Sequence, residues 1–113
     1  MRIAIDAMGG DNAPIEIIKG CVEAAALIED EILLIGRQDE ILEELKKHKF
    51  KSDQIKVIHA EDVIENDDAP VKAVRTKEDS SMVRGINLVK NKEADLFISA
   101  GNTGALMAGG LFL

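Results

Sequence analysis

The segment Ser99-Ala100-Gly101-Asn102-Thr103-Gly104 follows the apolar run Leu96-Phe97-Ile98 and precedes Ala105-Leu106-Met107-Ala108, so it reads as a strand, a glycine turn and a helix start. Such a layout can bind an anion. Glycines let the backbone take positive φ and approach a ligand closely, while the first N–H groups of a helix lack intrahelical partners and carry the positive end of its dipole. Phosphate is the natural occupant, with Ser99, Gly101, Asn102, Thr103 and Gly104 as candidate contacts. Ordinary helix-capping turns use the same residue types, so this segment alone does not separate a ligand site from a structural turn.

A second glycine motif, Asp6-Ala7-Met8-Gly9-Gly10-Asp11-Asn12-Ala13-Pro14, directly follows the strand-like Ile3-Ala4-Ile5. In an open parallel sheet, ligands collect outside the carboxyl ends of the strands, so two such turns can converge on one crevice. Pro14 suits the first position of a helix, where a missing N–H costs nothing. Asp6 and Asp11 are either caps that brace the loop or carboxylates of the site itself, with Gly9 and Gly10 between them.

Strand and helix signals alternate around these turns. Residues 14–29 place Ile15, Ile18, Val22, Ala25 and Ile28 at helical spacing. Ile32-Leu33-Leu34-Ile35 is continuously apolar, as expected of a strand covered on both faces, and Gly36 ends it. Residues 38–48 form an amphipathic surface helix on Ile41, Leu42 and Leu45, with Glu43 and Lys47 spaced for an i,i+4 pair. Ile55–Ile58 supplies a third strand, 80–92 a helix with Met82, Ile86 and Val89 inward, and Leu96–Ile98 a fourth strand. The expected architecture is a three-layer α/β/α domain with a mostly parallel sheet.

Composition excludes several classes. The 113 residues are about one domain, 46% hydrophobic, with a net charge of −7 that argues against a nucleic-acid surface. No apolar stretch approaches the ~18 residues of a membrane span, and Asp6 arrives too early for a signal peptide, so a cytoplasmic chain is expected. Cys21, the only cysteine, sits near the apolar face of the first helix and reads as a core residue. His48 and His59 have no partner at ligand spacing, so no metal is expected, and Met8 and Met107 read as space-fillers. The basic run Lys46, Lys47, Lys49, Lys51 and Lys56 reads as a solvated helix end and loop. The last residues, 105–113, are apolar to the end, and the expectation is a domain cut short within or before a helix, with a second domain absent.

Three ordered motifs carry a resemblance. Asp6-Ala7-Met8-Gly9-Gly10-Asp11-x-Ala13-Pro14, Pro70-x-x-Ala73-x-Arg75-x-Lys77-x-x-Ser80-Ser81-Met82 and Ser99-Ala100-Gly101-Asn102-Thr103-Gly104-Ala105 together resemble the PlsX family of bacterial phosphate acyltransferases. Members are roughly three times this length, so the resemblance covers their amino-terminal part. It implies a fold similar to phosphate acetyltransferases and isocitrate-type dehydrogenases, with the site in a cleft between domains. It further implies an enzyme, often dimeric and working at the membrane surface, that joins inorganic phosphate to a fatty acyl group from acyl carrier protein. The product would be acyl phosphate for phospholipid synthesis, formed without a cofactor. Arg75 and Lys77 become the candidate cations on this resemblance, Arg75 being favoured for a forked contact; by charge alone, Lys72–Asp79 would be a solvated face.

The chemistry agrees with that implication. Phosphate is a competent nucleophile near neutral pH, and the thiolate leaving a thioester comes from a thiol of pKa about 8.5. Holding phosphate beside the carbonyl and stabilising an oxyanion are tasks for turn N–H groups and a few cations, with no covalent nucleophile required. A nucleotide-binding oxidoreductase is the alternative, weakened by the lack of Gly-x-Gly-x-x-Gly after the first strand and by a second strand that ends in Gly36-Arg37 with no ribose-binding acid. A folded fragment without turnover is a third reading.

Overall fold

The computed structural model describes all 113 residues. In chain order the elements are β1 (Arg2–Asp6), α1 (Ile15–Ala25), β2 (Glu31–Gly36), α2 (Gln38–Leu45), β3 (Ile55–His59), α3 (Pro70–Thr76), α4 (Ser81–Lys90), β4 (Leu96–Ile98) and α5 (Thr103–Phe112). The strands form one sheet in the order β3-β2-β1-β4, and every pair is parallel. Parallel neighbours need crossover connections, which the helices supply.

The apolar run of β2 dictates the layering. Ile32 and Leu34 face one side and pack with Ile18, Cys21 and Ala25 of α1 and Ile41 and Leu45 of α2. Leu33 and Ile35 face the other, with Ala4, Ala60, Ala94 and the Leu88 and Val89 side chains of α4. Burying each large aliphatic side chain stabilises the fold by roughly 1.5–3 kcal/mol, so a strand buried on both faces anchors both layers. A separate cluster joins α3, α4 and α5 through Ala73, Val74, Met82, Val83, Ala105 and Ala108. No helix is long and apolar enough to cross a membrane.

Several local expectations are corrected. The first helix ends at Ala25 rather than near residue 29, because the Gln54 side-chain amide donates to the carbonyls of Ala25, Ile28 and Asp30 and turns the chain toward β2. Its buried face is Ile18, Cys21 and Ala25, leaving Ile15 56% exposed. At the end of α2 the ion pairs are Glu43–Lys46 at 3.6 Å and Glu44–Lys47 at 2.8 Å, one residue closer in sequence than the expected i,i+4 pair. The fourth helix stops at Lys90 because Lys92 takes the left-handed conformation (φ 62°), and the N–H groups of Glu93 and Ala94 turn back to the Leu88 carbonyl. The charged stretch 72–79 is no mere solvated face: α3 occupies most of it and buries Ala73 and Val74. Met107 fills no interior space, being 67% exposed.

Candidate functional site

Because all four strands are parallel, their carboxyl ends share one edge of the sheet. The chain builds outward from β1 through β2 to β3, then returns to the far side of β1 to form β4. The direction of winding therefore reverses between β1 and β4. At such a switch point the two outgoing loops diverge to opposite faces and leave a crevice. The loops that leave here are the two glycine motifs, which touch at Gly9 and Gly101 before they part.

Asp6 joins them. Alternation along β1 turns Ala4 and Asp6 toward the α4 layer, and Asp6 is buried there. Its Oδ1 accepts from the Ser81 hydroxyl at 2.6 Å and the Met8 N–H at 3.0 Å, and its Oδ2 accepts from the Ser99 hydroxyl at 2.9 Å. Ser81 is the first residue of α4, so the carboxylate also lies at the positive end of that helix. The Ser99 oxygen in turn accepts the Gly101 N–H at 3.1 Å. Asp6, Ser99 and the Gly101 N–H are thus committed to one another.

The glycines serve close approach more than unusual φ. A β-carbon on Gly9 would lie 2.7 Å from Asp6 Oδ2 and 2.9 Å from the Gly101 nitrogen, so the two turns pack backbone against backbone. Positive φ occurs at Gly10 (99°), and neither Gly101 nor Gly104 adopts it. Gly104 faces the Pro70 ring, 2.7 Å from where a β-carbon would sit, which lets α5 lie against the start of α3.

Asn102 caps α5: its Oδ1 accepts the Ala105 N–H at 3.0 Å, while its Nδ2 donates to the carbonyls of Glu65 and Asp68. Its amide is fully engaged with the protein. The N–H groups of Thr103 and Gly104, the first two residues of α5, have no internal acceptor, and both residues are exposed. They are the open donors that the glycine turn leaves to a ligand.

The loop between β3 and α3 closes the third side. Lys77 donates to the Val63 carbonyl at 2.9 Å and to Asp68 Oδ2 at 2.7 Å. The Lys77 hydrogen bond, with a further one from the Glu65 N–H, holds the Asp68 carboxyl below its ordinary pKa. Asn66 donates to Asp11 Oδ1 at 3.3 Å, tying this loop to the first glycine motif. Lys77 and Asp11 therefore brace loops, whereas Arg75, exposed on the last turn of α3, has no ion-pair or hydrogen-bond partner for its side chain. A cavity of about 360 Å³ between Gly10 and the loop is lined by Asp11, Glu65 and Asp67, and these carboxylates repel an anion.

Ser81 enters the sequence reading only as part of a motif, with no role of its own, and Asn66 does not enter it. Ser80 caps α4 by accepting the Val83 N–H. Ser81 faces a residue 75 positions away, which no local spacing reveals. Away from the crevice, Cys21 is a core residue whose thiol pKa burial pushes up to about 11. His59 accepts the Gln38 N–H through Nδ1 at 3.1 Å and pairs through Nε2 with Glu61 at 3.0 Å. No group of three or more His, Cys, Asp or Glu side chains is arranged to hold a metal.

Residues 1–113 match the family described as "Fatty acid synthesis protein". The "Phosphate acyltransferase" of Halothermothrix orenii is 55% identical over the whole chain, which corresponds to 34% of that protein. The proteins of the same name from Thermoanaerobacter pseudethanolicus and Clostridioides difficile are 58% and 48% identical, over 98% and 100% of the chain and 32% and 33% of their own lengths. The chain spans about a third of the length of the curated relatives it matches.

Proposed function

The chain belongs to the fatty acid synthesis protein family, and from that premise we propose that it forms the amino-terminal wall of a phosphate acyltransferase. The reaction is attack of a phosphate oxygen on the thioester carbonyl of a fatty acyl-acyl carrier protein. The new C–O bond gives acyl phosphate, the C–S bond breaks, and the carrier's thiolate leaves and takes up a proton. Phosphate sits at the start of α5 on the N–H groups of Thr103 and Gly104, where two charge-assisted hydrogen bonds and the helix dipole favour it. Arg75, whose side chain has no partner within the chain, is the cation assigned to phosphate, and Lys77 and Asp11 hold the surrounding loops.

The observation that carries the reading is the coincidence of open helix donors with the switch point of the sheet, in a chain whose relatives bear this name throughout its length. Orientation does most of the work, since neither reactant needs covalent activation. The remaining two-thirds of the polypeptide supplies the opposite wall and the acyl-carrier contacts, and the whole enzyme is a cytoplasmic dimer that meets the membrane peripherally. Family membership leaves the oxidoreductase alternative without support. The test is release of free thiol from acyl-acyl carrier protein by the full-length transferase, which must depend on phosphate. Thiol release at the same rate without phosphate refutes the reading.

A further inference from the structure

We infer that Asp6 is the positioning residue of the phosphate site and acts through Ser99. The inference rests on the acyltransferase reading and adds to it the device that orients the binding turn. A buried carboxylate is costly unless its oxygens are satisfied, and Asp6 has no cation beside it. Its partners are two hydroxyls, one backbone N–H and the amino end of α4. That set satisfies both carboxylate oxygens and turns them inward, toward α4 and the two glycine turns.

The direction of the hydrogen bonds gives Asp6 its role. A carboxylate only accepts, so the Ser99 hydroxyl must donate to it, and the Ser99 oxygen is left to accept the Gly101 N–H. Without the carboxylate the Ser99 hydroxyl is free to rotate. With it, the Gly101 N–H is held inward, and the turn continues into α5 with the Thr103 and Gly104 donors facing out. The contact of Gly9 with this same group leaves the turn no room to shift. Two helix starts meet at the edge of the sheet: α4 is occupied by the protein's own carboxylate, and α5 is kept open.

The experiment is a double-mutant cycle in the full-length transferase with Asp6→Asn, Ser99→Ala and the pair together, read by KM for phosphate, KM for the acyl donor and phosphate affinity by titration calorimetry. Each single change should raise the phosphate KM about tenfold, leave the donor KM within about twofold, and the pair should add little beyond either one. Ser99→Thr, which restores a hydroxyl, should recover most of the phosphate affinity. A lowered melting temperature with unchanged phosphate KM makes Asp6 a plain structural brace and overturns the inference, as does full additivity of the two changes. Should Asp6→Asn fail to fold, the Ser99 pair decides: loss with Ala and recovery with Thr supports the inference, and no loss with Ala overturns it. Absence of phosphate binding by the unaltered enzyme overturns the acyltransferase reading itself, and this inference with it.

Discussion

Gly9→Ala and Gly20→Ala make the same chemical change with opposite expected results. On Gly9 the new methyl would stand 2.7 Å from Asp6 Oδ2, 2.9 Å from the Gly101 nitrogen and 3.0 Å from Ser99 Oγ. One of these atoms is backbone and the other two belong to a hydrogen-bonded pair, so none can yield without loosening the link between the two turns. Overpacking costs about 1–3 kcal/mol and a weakened bond to a charged group about 1.5–3 kcal/mol, so a loss of about 2–5 kcal/mol is expected. Gly20 lies exposed within α1, with nothing inside 4 Å of the added atom. There alanine removes the glycine penalty in a helix and stabilises by about 0.5–1 kcal/mol. Urea denaturation of the two variants should move the midpoints in opposite directions at unchanged m. A Gly9→Ala midpoint at or above that of the unaltered chain would refute the close-packed-turn argument.

Other outcomes follow from single residues. The Cys21 thiol, with its pKa raised from 9.0 to about 11, contributes stability that is fully present below pH 9 and is lost as pH rises through 11. About 2 kcal/mol of alkaline destabilisation should therefore disappear in Cys21→Ala relative to the unaltered chain, read as urea midpoints between pH 8 and 11. The Asp68 carboxyl, held low chiefly by Lys77, stabilises the loop above its ordinary pKa and loses that effect as pH falls through the lowered value. In Lys77→Met its NMR titration midpoint should rise toward an ordinary carboxylate, and an unmoved midpoint would contradict the pairing. Arg75→Ala should leave chain stability within about 0.5 kcal/mol, since the side chain has no partner. In the full-length transferase the same change should raise the phosphate KM about tenfold to a hundredfold, and an unchanged KM would make Arg75 an ordinary surface residue.

The layers were legible in the sequence where apolar pattern and layer coincide. Ile32–Ile35 is continuous because β2 is covered on both faces, and each glycine motif announces a turn at a strand end. Helix α3 was hidden because its only buried side chains, Ala73 and Val74, are adjacent, and charges at Lys72 and Arg75 flank them. No helical period survives in so short a stripe. Within the candidate site, residue types marked the glycine turn but not the division of labour inside it. Residue type makes Asn102 and Gly101 candidate ligand contacts, and the structure engages the Asn102 amide with Ala105, Glu65 and Asp68 and the Gly101 N–H with Ser99. Those partners lie on other loops, and Asp6 meets Ser81 and Ser99 across 75 and 93 positions of chain. Long-range hydrogen bonding of this kind leaves no local trace in residue order.

Phosphate soaked into crystals of the full-length transferase would show where the anion binds. The Thr103 and Gly104 N–H groups are the open donors at the switch point, and the acid-lined cavity beside Asp11 repels anions. Density for phosphate within hydrogen-bond distance of both nitrogens is the predicted result. Phosphate bound elsewhere, with those two N–H groups facing only water, would contradict it.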